Sequence, residues 1–358
     1  MFLGGKVMSH KLISIVIPMY FEQEVANECY TRLSDVALKN NLDYELIFIN
    51  DGSTDNTLQI LEELAKKDSH VKVISFSRNF GHQVAVTAGI DNSKGDAVII
   101  IDADLQDPPE LIPEMIKLWE QGNDVVYGKR KKRDGESLLK LTTAKLFYRI
   151  LNKMSSVTIP MDTGDFRLID KKVVEALKKM PEHNRFLRGM SSWIGFKQIP
   201  LEYERKERFA GETKYPLKKM IKFALDGIFS FSSKPLKVVE YLGFDSILIS
   251  LIIFIYLLVK LALGTSITSI GWITTLTVAC FIGGIQLISI GIVGEYISRI
   301  YDESKCRPLY IVAKEINLDN LENSLNNSNS KINLYKNTRR TLYVVNHSAS
   351  NSKDCDAK

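Results

Sequence analysis

Residues 271–294, GWITTLTVACFIGGIQLISIGIVG, contain no charged side chain, and residues 241–263 contain only Asp245 and Lys260, near the two ends of the run. At ~1.5 Å per residue each run, wound as a helix, reaches about 35 Å and clears a hydrocarbon core ~30 Å thick. A soluble core helix of this length that is apolar on every side would be unusual, so the two runs predict two membrane spans. The link between them, GTSITSI, has room only for a hairpin, which returns the chain to the side it came from. Lys214, Lys218, Lys219, Lys222, Lys234 and Lys237 precede the first run, and Arg299, Lys305 and Arg307 follow the second. Positive flanks stay in the cytoplasm, which puts both ends inside. Ala279 and Gly283 form a small-x-x-x-small pair suited to packing between spans, and with it a homo-oligomer.

The first part of the chain obeys a different rule. Short apolar runs at 13–18, 45–50, 71–76, 97–102 and 124–128 alternate with stretches of helical period such as QEVANECYTRLSDVALKN and TDNTLQILEELAKK. Such alternation predicts an α/β fold with a parallel sheet covered on both faces. Ligands of these sheets bind beyond the carboxyl ends of the strands, where Asp51 and Asp102 both fall. Forty-five per cent hydrophobic and 25% charged residues suit a folded protein of this size. The net charge of +5 is too mild to call for nucleic acid. Four cysteines without metal-ligand or paired spacing argue for a reducing compartment and against a zinc site. The N-terminus, MFLGGKVMSHK, reads as a short leader without the apolar core of a signal peptide.

The resulting organisation is a cytoplasmic domain over 1–212, amphipathic surface helices over 213–237, two membrane helices within 238–298, a cytoplasmic segment over 299–316, and a flexible tail over 317–358. Two stretches are amphipathic. In 215–231, Leu217, Met220, Ile221, Ala224 and Ile228 oppose Lys218, Lys222 and Asp226; in 138–154, Leu139, Leu146, Phe147, Ile150 and Leu151 oppose Lys145, Arg149 and Lys153. Both patterns fit core-facing helices, and both fit helices lying on an anionic membrane surface.

The acids after the fourth apolar run pose the chemical question. AVIIIDADLQDPPE brings Asp102, Asp104 and Asp107 together at a strand end before Pro108 and Pro109. An Asp-rich turn accounts for them locally. Carboxylates that share a cleft, however, raise one another's pKa unless a cation intervenes. Mg²⁺ takes one or two carboxylates and completes its shell with substrate phosphates. Arg130 and Arg133 in GKRKKRDGES, and Arg208 and Lys214 in RKERFAGETKY, are where phosphate would be met.

The segments VIPMYFEQE, FINDGSTDNT, SRNFGHQVAVTAG, IDADLQDPPE, TGDFRL and RFAGETKYPLKKM, in that order and followed by two spans, resemble the polyprenyl-phosphate glycosyltransferases of glycosyltransferase family 2. The likeness runs over roughly residues 10–315 and is strongest to the branch of bactoprenol glucosyltransferases, with dolichol-phosphate mannose synthases as cousins. It implies a GT-A-type, Rossmann-like nucleotide-sugar domain beside the transmembrane hairpin. The implied reaction is inverting transfer of one sugar from a nucleotide diphosphate donor, UDP favoured, to a polyprenyl phosphate. It implies that Pro18, Tyr20, Glu22 and Asp51 hold the nucleoside and that Asp102 lies near the ribose and diphosphate. Asp102, Asp104 and Gln106 would hold Mg²⁺ or Mn²⁺, Asp165 would be the base beside the acceptor, and Arg130, Arg208 and Lys214 would hold phosphate. Asn50 replaces an acid and His82-Gln83 a Lys-Glu pair of some relatives, and neither change is expected to touch the metal residues.

Two other functions would leave different marks. A processive polysaccharide synthase calls for a Q-x-x-R-W segment and further spans, and RFLRGMSSW approaches only the composition of the former. A non-catalytic nucleotide-sugar-binding regulator would tolerate loss of the acids, yet Asp102, Asp104 and Asp165 are all present.

Overall fold

A computed structural model describes residues 11–131, 160, 163–204, 228–230, 232–263 and 270–318. Eight strands form one sheet: β1 (Leu12–Met19), β2 (Asp43–Asn50), β3 (Val71–Phe76), β4 (Ala97–Ile100), β5 (Val125–Arg130), β6 (Thr163–Asp170), β7 (Gln198–Tyr203) and β8 (Val312–Ile316). Their spatial order is β7-β5-β6-β4-β1-β2-β3-β8. The four strands β3-β2-β1-β4 run parallel, as the alternating pattern requires. The five strands expected from the apolar runs, β1 to β5, all run in one direction, since β6 is antiparallel to both β4 and β5; β6 and β8, which lie outside those runs, make the sheet as a whole mixed.

The continuous apolar strands follow from cover on both faces. On one face Ile13, Ile15 and Ile17 pack with Cys29 and Leu33 of α1 (Ala26–Lys39), Leu61 and Leu64 of α2 (Thr57–Lys67), and Met115 of α4 (Ile112–Glu120). On the other face Val16, Ile47 and Ile49 meet Ala85 and Val86 of α3 (His82–Asn92), Val173 of α5 (Lys171–Lys178), and Met190 of α6 (Leu187–Ile194). Each fully buried aliphatic side chain contributes about 1.5–3 kcal/mol, so both faces reward the same apolar run.

Two long helices follow, α7 (Lys234–Ala262) and α8 (Ile270–Ser304), packed on each other. Their apolar side chains point outward, Trp272 at 77% and Leu287 at 72% exposure, as a lipid-facing hairpin requires. The start of the first helix is tied to the end of the second: Tyr296 Oη donates to the Ser232 carbonyl at 2.6 Å, and Arg299 Nη1 to Ser230 Oγ at 3.1 Å. Both ends of the hairpin therefore lie together. The amphipathic stretch 138–154, and 215–231 apart from 228–230, lie outside the described residues.

Beyond the apolar run, α8 continues to Ser304, and the chain then enters the sheet as β8. The segment expected merely to follow the spans is thus an integral edge strand. Asn317, expected to open a flexible tail, belongs to the fold: at φ 57° it donates through Nδ2 to the carbonyls of Ala65 (2.7 Å) and Val71 (2.9 Å). Asn tolerates this left-handed backbone better than most residues. Asn317→Ala should cost about 1–3 kcal/mol, because it orphans two acceptors. A chain ending at Leu318 should keep full specific activity, since the Asn- and Ser-rich remainder lacks the apolar content to join a core. Denaturation midpoints and transfer rates for the two variants check this pair of outcomes.

Candidate active site

The direction of strand succession reverses between β1 and β4, and a crevice forms beyond their carboxyl ends. Tyr20 and Phe21 follow β1, Asp51 follows β2, and Asp102 follows β4. Because β6 is antiparallel to β4, with Ile100 opposite Arg167, its first residues arrive at the same end. That pairing carries Asp165 to Asp102 across 63 positions of sequence.

The loop after β4 is sharply bent. Leu105 is buried at φ 58°, a left-handed conformation that costs a non-glycine residue about 1–2 kcal/mol. It separates Asp104 from Gln106, whose backbone N–H is accepted by Asp104 Oδ1 at 3.1 Å. Asp102 Oδ1 is buried and, among the described residues, lacks a hydrogen-bond partner. Burial pushes the Asp102 carboxyl up to about 6, with Asp165, Asp107 and Asp104 adding to the rise and His82 opposing it. Asp107 has a different task. It is fully buried, accepts from the Tyr203 hydroxyl, and lies 3.9 Å from Arg130 Nη2. The third acid of the motif therefore joins the loop to β5 and β7.

Asp165 is the hub of the crevice. Its Oδ1 accepts from Arg188 Nε at 2.8 Å, and its Oδ2 from Arg188 Nη2 at 3.2 Å and Gln83 Nε2 at 3.2 Å. His82 Nε2 lies 3.1 Å from the same Oδ2 and 3.6 Å from Asp102 Oδ1. Burial alone would raise the Asp165 carboxyl, but Arg188 and His82 hold it well below the usual range. Burial likewise works against the His82 cation, but Asp102 and Asp165 overcome it and raise the imidazole to about 9. At neutral pH the site therefore sets two cations against a cluster of acids. The expectation that the His82-Gln83 exchange stays clear of the metal residues is overturned, since His82 bridges Asp102 and Asp165.

Arg188 was not singled out from the sequence. It stands in the first turn of α6, within RFLRGMSSW, and only the pairing of β6 with β4 shows that it faces Asp165. Arg130 flanks the site from β5: Nε is 3.5 Å from the Tyr203 hydroxyl, and Nη2 is 2.9 Å from where a Cβ on Gly164 would stand. A side chain at Gly164 would therefore push that guanidinium aside. Arg133, Arg208 and Lys214 lie outside the described residues.

Asp51 spends its carboxylate on the loop before α3. Phe80 N–H donates to Oδ1 at 2.7 Å, and Gly81 N–H (3.0 Å) and Asn79 Nδ2 (2.9 Å) donate to Oδ2. It thereby sets the N-terminus of α3, where His82 and Gln83 begin. Gly52, at φ 66°, makes this possible, because a Cβ there would stand 2.3 Å from the Arg78 carbonyl carbon. Asn50 is satisfied as an amide, donating to Ser75 Oγ at 2.9 Å and accepting from Ser53 N–H at 3.2 Å. Pro18 lies in β1, while Tyr20 and Phe21 are exposed at the crevice mouth with ring centroids 4.3 Å apart. Glu22 N–H donates to Thr57 Oγ1 at 3.0 Å.

The donor set suits a hard divalent cation. Asp102 offers a buried oxygen that has no hydrogen bond among the described residues, with His82 Nε2 3.6 Å away, and Asp104 a second carboxylate two residues on. Among the described residues no group of three or more His, Cys, Asp or Glu side chains could hold a metal, so a cation here would rest on one or two carboxylates and take the rest of its shell from substrate phosphates.

The profile of Glycosyl transferase family 2 matches residues 14–178, and that of the GtrB C-terminal hairpin matches residues 234–300. The chain is 52% identical over 315 residues to an uncharacterized glycosyltransferase, YkcC of Bacillus subtilis, covering 87% of this chain and 96% of that one. It is 43% identical over 304 residues to the bactoprenol glucosyl transferase of Shigella phage SfV, covering 85% and 98%. A prophage bactoprenol glucosyl transferase homolog of Escherichia coli is 42% identical over 306 residues, covering 84% and 98%.

Proposed function

The chain is a glycosyltransferase belonging to glycosyl transferase family 2, and from that premise we propose that it transfers one glucose from UDP-glucose to a polyprenyl phosphate at the cytoplasmic membrane face, with inversion. One observation carries the reading: an acid-lined crevice sits in a sheet whose edge strand follows a two-helix apolar hairpin in the chain. The bactoprenol glucosyl transferases that the chain resembles across nearly their whole length support the lipid acceptor. A lipid-linked glucose made this way would supply modification of a cell-envelope glycan. The positive flanks of the hairpin support cytoplasmic placement of the sheet and both termini.

In this reading the segment with Pro18, Tyr20, Glu22 and Asp51 cradles the nucleoside, and Asp102, Asp104 and Gln106 hold Mg²⁺ or Mn²⁺. When bound, that cation supplies electrostatic relief for the charge on the departing diphosphate. An acceptor phosphate oxygen forms the new bond to the anomeric carbon as the bond to the diphosphate oxygen breaks on the opposite face, and the nucleoside diphosphate leaves. Arg130, with Arg208 and Lys214, neutralises phosphate. Arg188 fixes the Asp165 carboxylate, which orients the acceptor. A second copy packed through Ala279 and Gly283 belongs to the same reading; among the described residues, a Cβ at Gly283 would meet nothing within 4 Å.

The test is to incubate the purified full-length protein with polyprenyl phosphate and a panel of nucleotide sugars, then weigh the lipids. A monohexosyl polyprenyl phosphate from UDP-glucose is expected. A lengthening glycan would favour a processive synthase, and absence of lipid product with every donor would sink the assignment.

A further inference from the structure

Where α8 ends, the chain is held by one side chain from the catalytic domain. His183, in the loop between α5 and α6, donates its backbone N–H to Glu303 Oε1 at 2.7 Å. Its ring Nδ1 lies 2.7 Å from Glu303 Oε2, and its Nε2 lies 2.6 Å from the Arg307 carbonyl. Carboxylate and carbonyl oxygens only accept, and a neutral imidazole has one N–H to give. Satisfying both contacts requires the imidazolium. Burial works against the charge, but the Arg307 carbonyl and Glu303, reinforced by Asp302, raise the His183 pKa above its ordinary value. Asp302 is itself paired with Lys305 at 2.8 Å and also feels the Arg307 charge.

The loop beyond His183 leads straight to Asp165. Arg185 stiffens it, with Nε donating to the Glu182 carbonyl at 3.1 Å and Nη2 to the Met180 carbonyl. Leu187 N–H then donates to Gln83 Oε1 at 2.9 Å, and Arg188 grips Asp165. One short segment is thus fixed at one end to the exit of a membrane helix and at the other to the reactive crevice.

We infer that His183 is a positioning residue: it straps the 183–188 segment to the exit of the second membrane helix and sets the depth at which a bilayer-borne phosphate meets Arg188 and Asp165. The inference rests on the proposed transfer to a membrane lipid, and its predicted consequence is selective. Loss of the strap leaves the crevice intact but misplaces it relative to the bilayer. An acceptor confined to the membrane suffers, whereas an acceptor free in water does not.

The experiment uses the full chain in lipid nanodiscs. His183→Ala should raise KM for polyprenyl phosphate in the bilayer roughly tenfold, within the 5–150-fold span of couplings between separate sites. Turnover of a short, water-soluble prenyl phosphate should stay unchanged. Glu303→Ala should reproduce this, and the double variant should be no worse than either single one. A raised folded-state pKa means that the strap is intact below the ordinary imidazole value of ~6.5 and lost as pH rises through the folded value. The bilayer KM of wild type should therefore climb on the alkaline side, and that of His183→Ala should not. Amide hydrogen exchange at 183–188 should quicken in both single variants while β1 and β4 stay protected. Equal losses with both acceptors, additive single effects, or unchanged exchange would each overturn the strap. If wild type glycosylates no polyprenyl phosphate, the functional reading fails, and the exchange measurement still decides the strap.

Discussion

Replacing Asp104 by Asn is expected to lower sugar transfer by about 10²–10³-fold, the scale on which removing one preorganised electrostatic group acts. The substitution preserves shape. Asn keeps the oxygen that accepts the Gln106 N–H, so the strained turn at Leu105 has no reason to relax. What disappears is the charge that, in the proposed reading, draws a hard cation to the loop, beside an Asp102 whose own carboxyl is pushed up to about 6 by burial and neighbouring acids. Binding of Mn²⁺ to the UDP-loaded protein should weaken in step with the rate. The checks are a metal titration, single-turnover rates, and a melting curve showing an intact fold. Undiminished transfer by Asp104→Asn in excess chelator would remove the metal from the assignment.

The same loop shows what the sequence exposes and what it hides. Strands β1 to β4 were legible because burial on both faces leaves each run continuously apolar, and their carboxyl ends located Asp51 and Asp102. Asp104 was marked by the acids at the end of the fourth run, and Gln106 by the resemblance. The environment of Asp165 was hidden because it depends on β6 entering antiparallel between β4 and β5, a pairing with no local signature. For the same reason His82, Gln83 and Arg188 gave no sign that they converge on one carboxylate. In β8, only Val312 of VAKEI is buried. Charged residues on a short edge strand deter further pairing, and they also erase the apolar pattern that would announce a strand. Asn317 was assigned to the tail because its two hydrogen bonds go to residues some 250 positions away.

The fold also reassigns apparent redundancy. Asp107 belongs to the same acidic motif as Asp102 and Asp104, yet its pairing with Tyr203 and Arg130 gives it a packing role. Asp51 is used to build the start of α3. In the proposed reading these acids therefore also act on the chemistry through the placement of Arg130, His82 and Gln83. Their loss should disturb stability and rate together, unlike that of Asp104.

Asp165→Asn carries the other large expected effect, and it separates two roles for this carboxylate. A general base works best with a pKa near the operating pH. Arg188 and His82, against the cost of burial, hold Asp165 well below the ordinary carboxylate range, which makes it a weak proton acceptor. The acceptor supplies its own charge, because a phosphate monoester loses its second proton near pH ~6 and is mostly dianionic above that. The acidic limb of the pH–rate profile should therefore follow the lipid phosphate in wild type and variant alike. The variant should lose on the order of 10²-fold in rate from poorer positioning. It should also lose stability at neutral pH, since the depressed pKa of Asp165 reports a favourable contribution that persists until pH falls through that low value. The measurement is a pH series of single-turnover rates for both proteins, with donor and acceptor saturating, on material shown by size exclusion to be folded. An acidic limb present in wild type and absent in Asp165→Asn would make Asp165 a true general base and leave Arg188 the task of lowering a pKa that catalysis needs high.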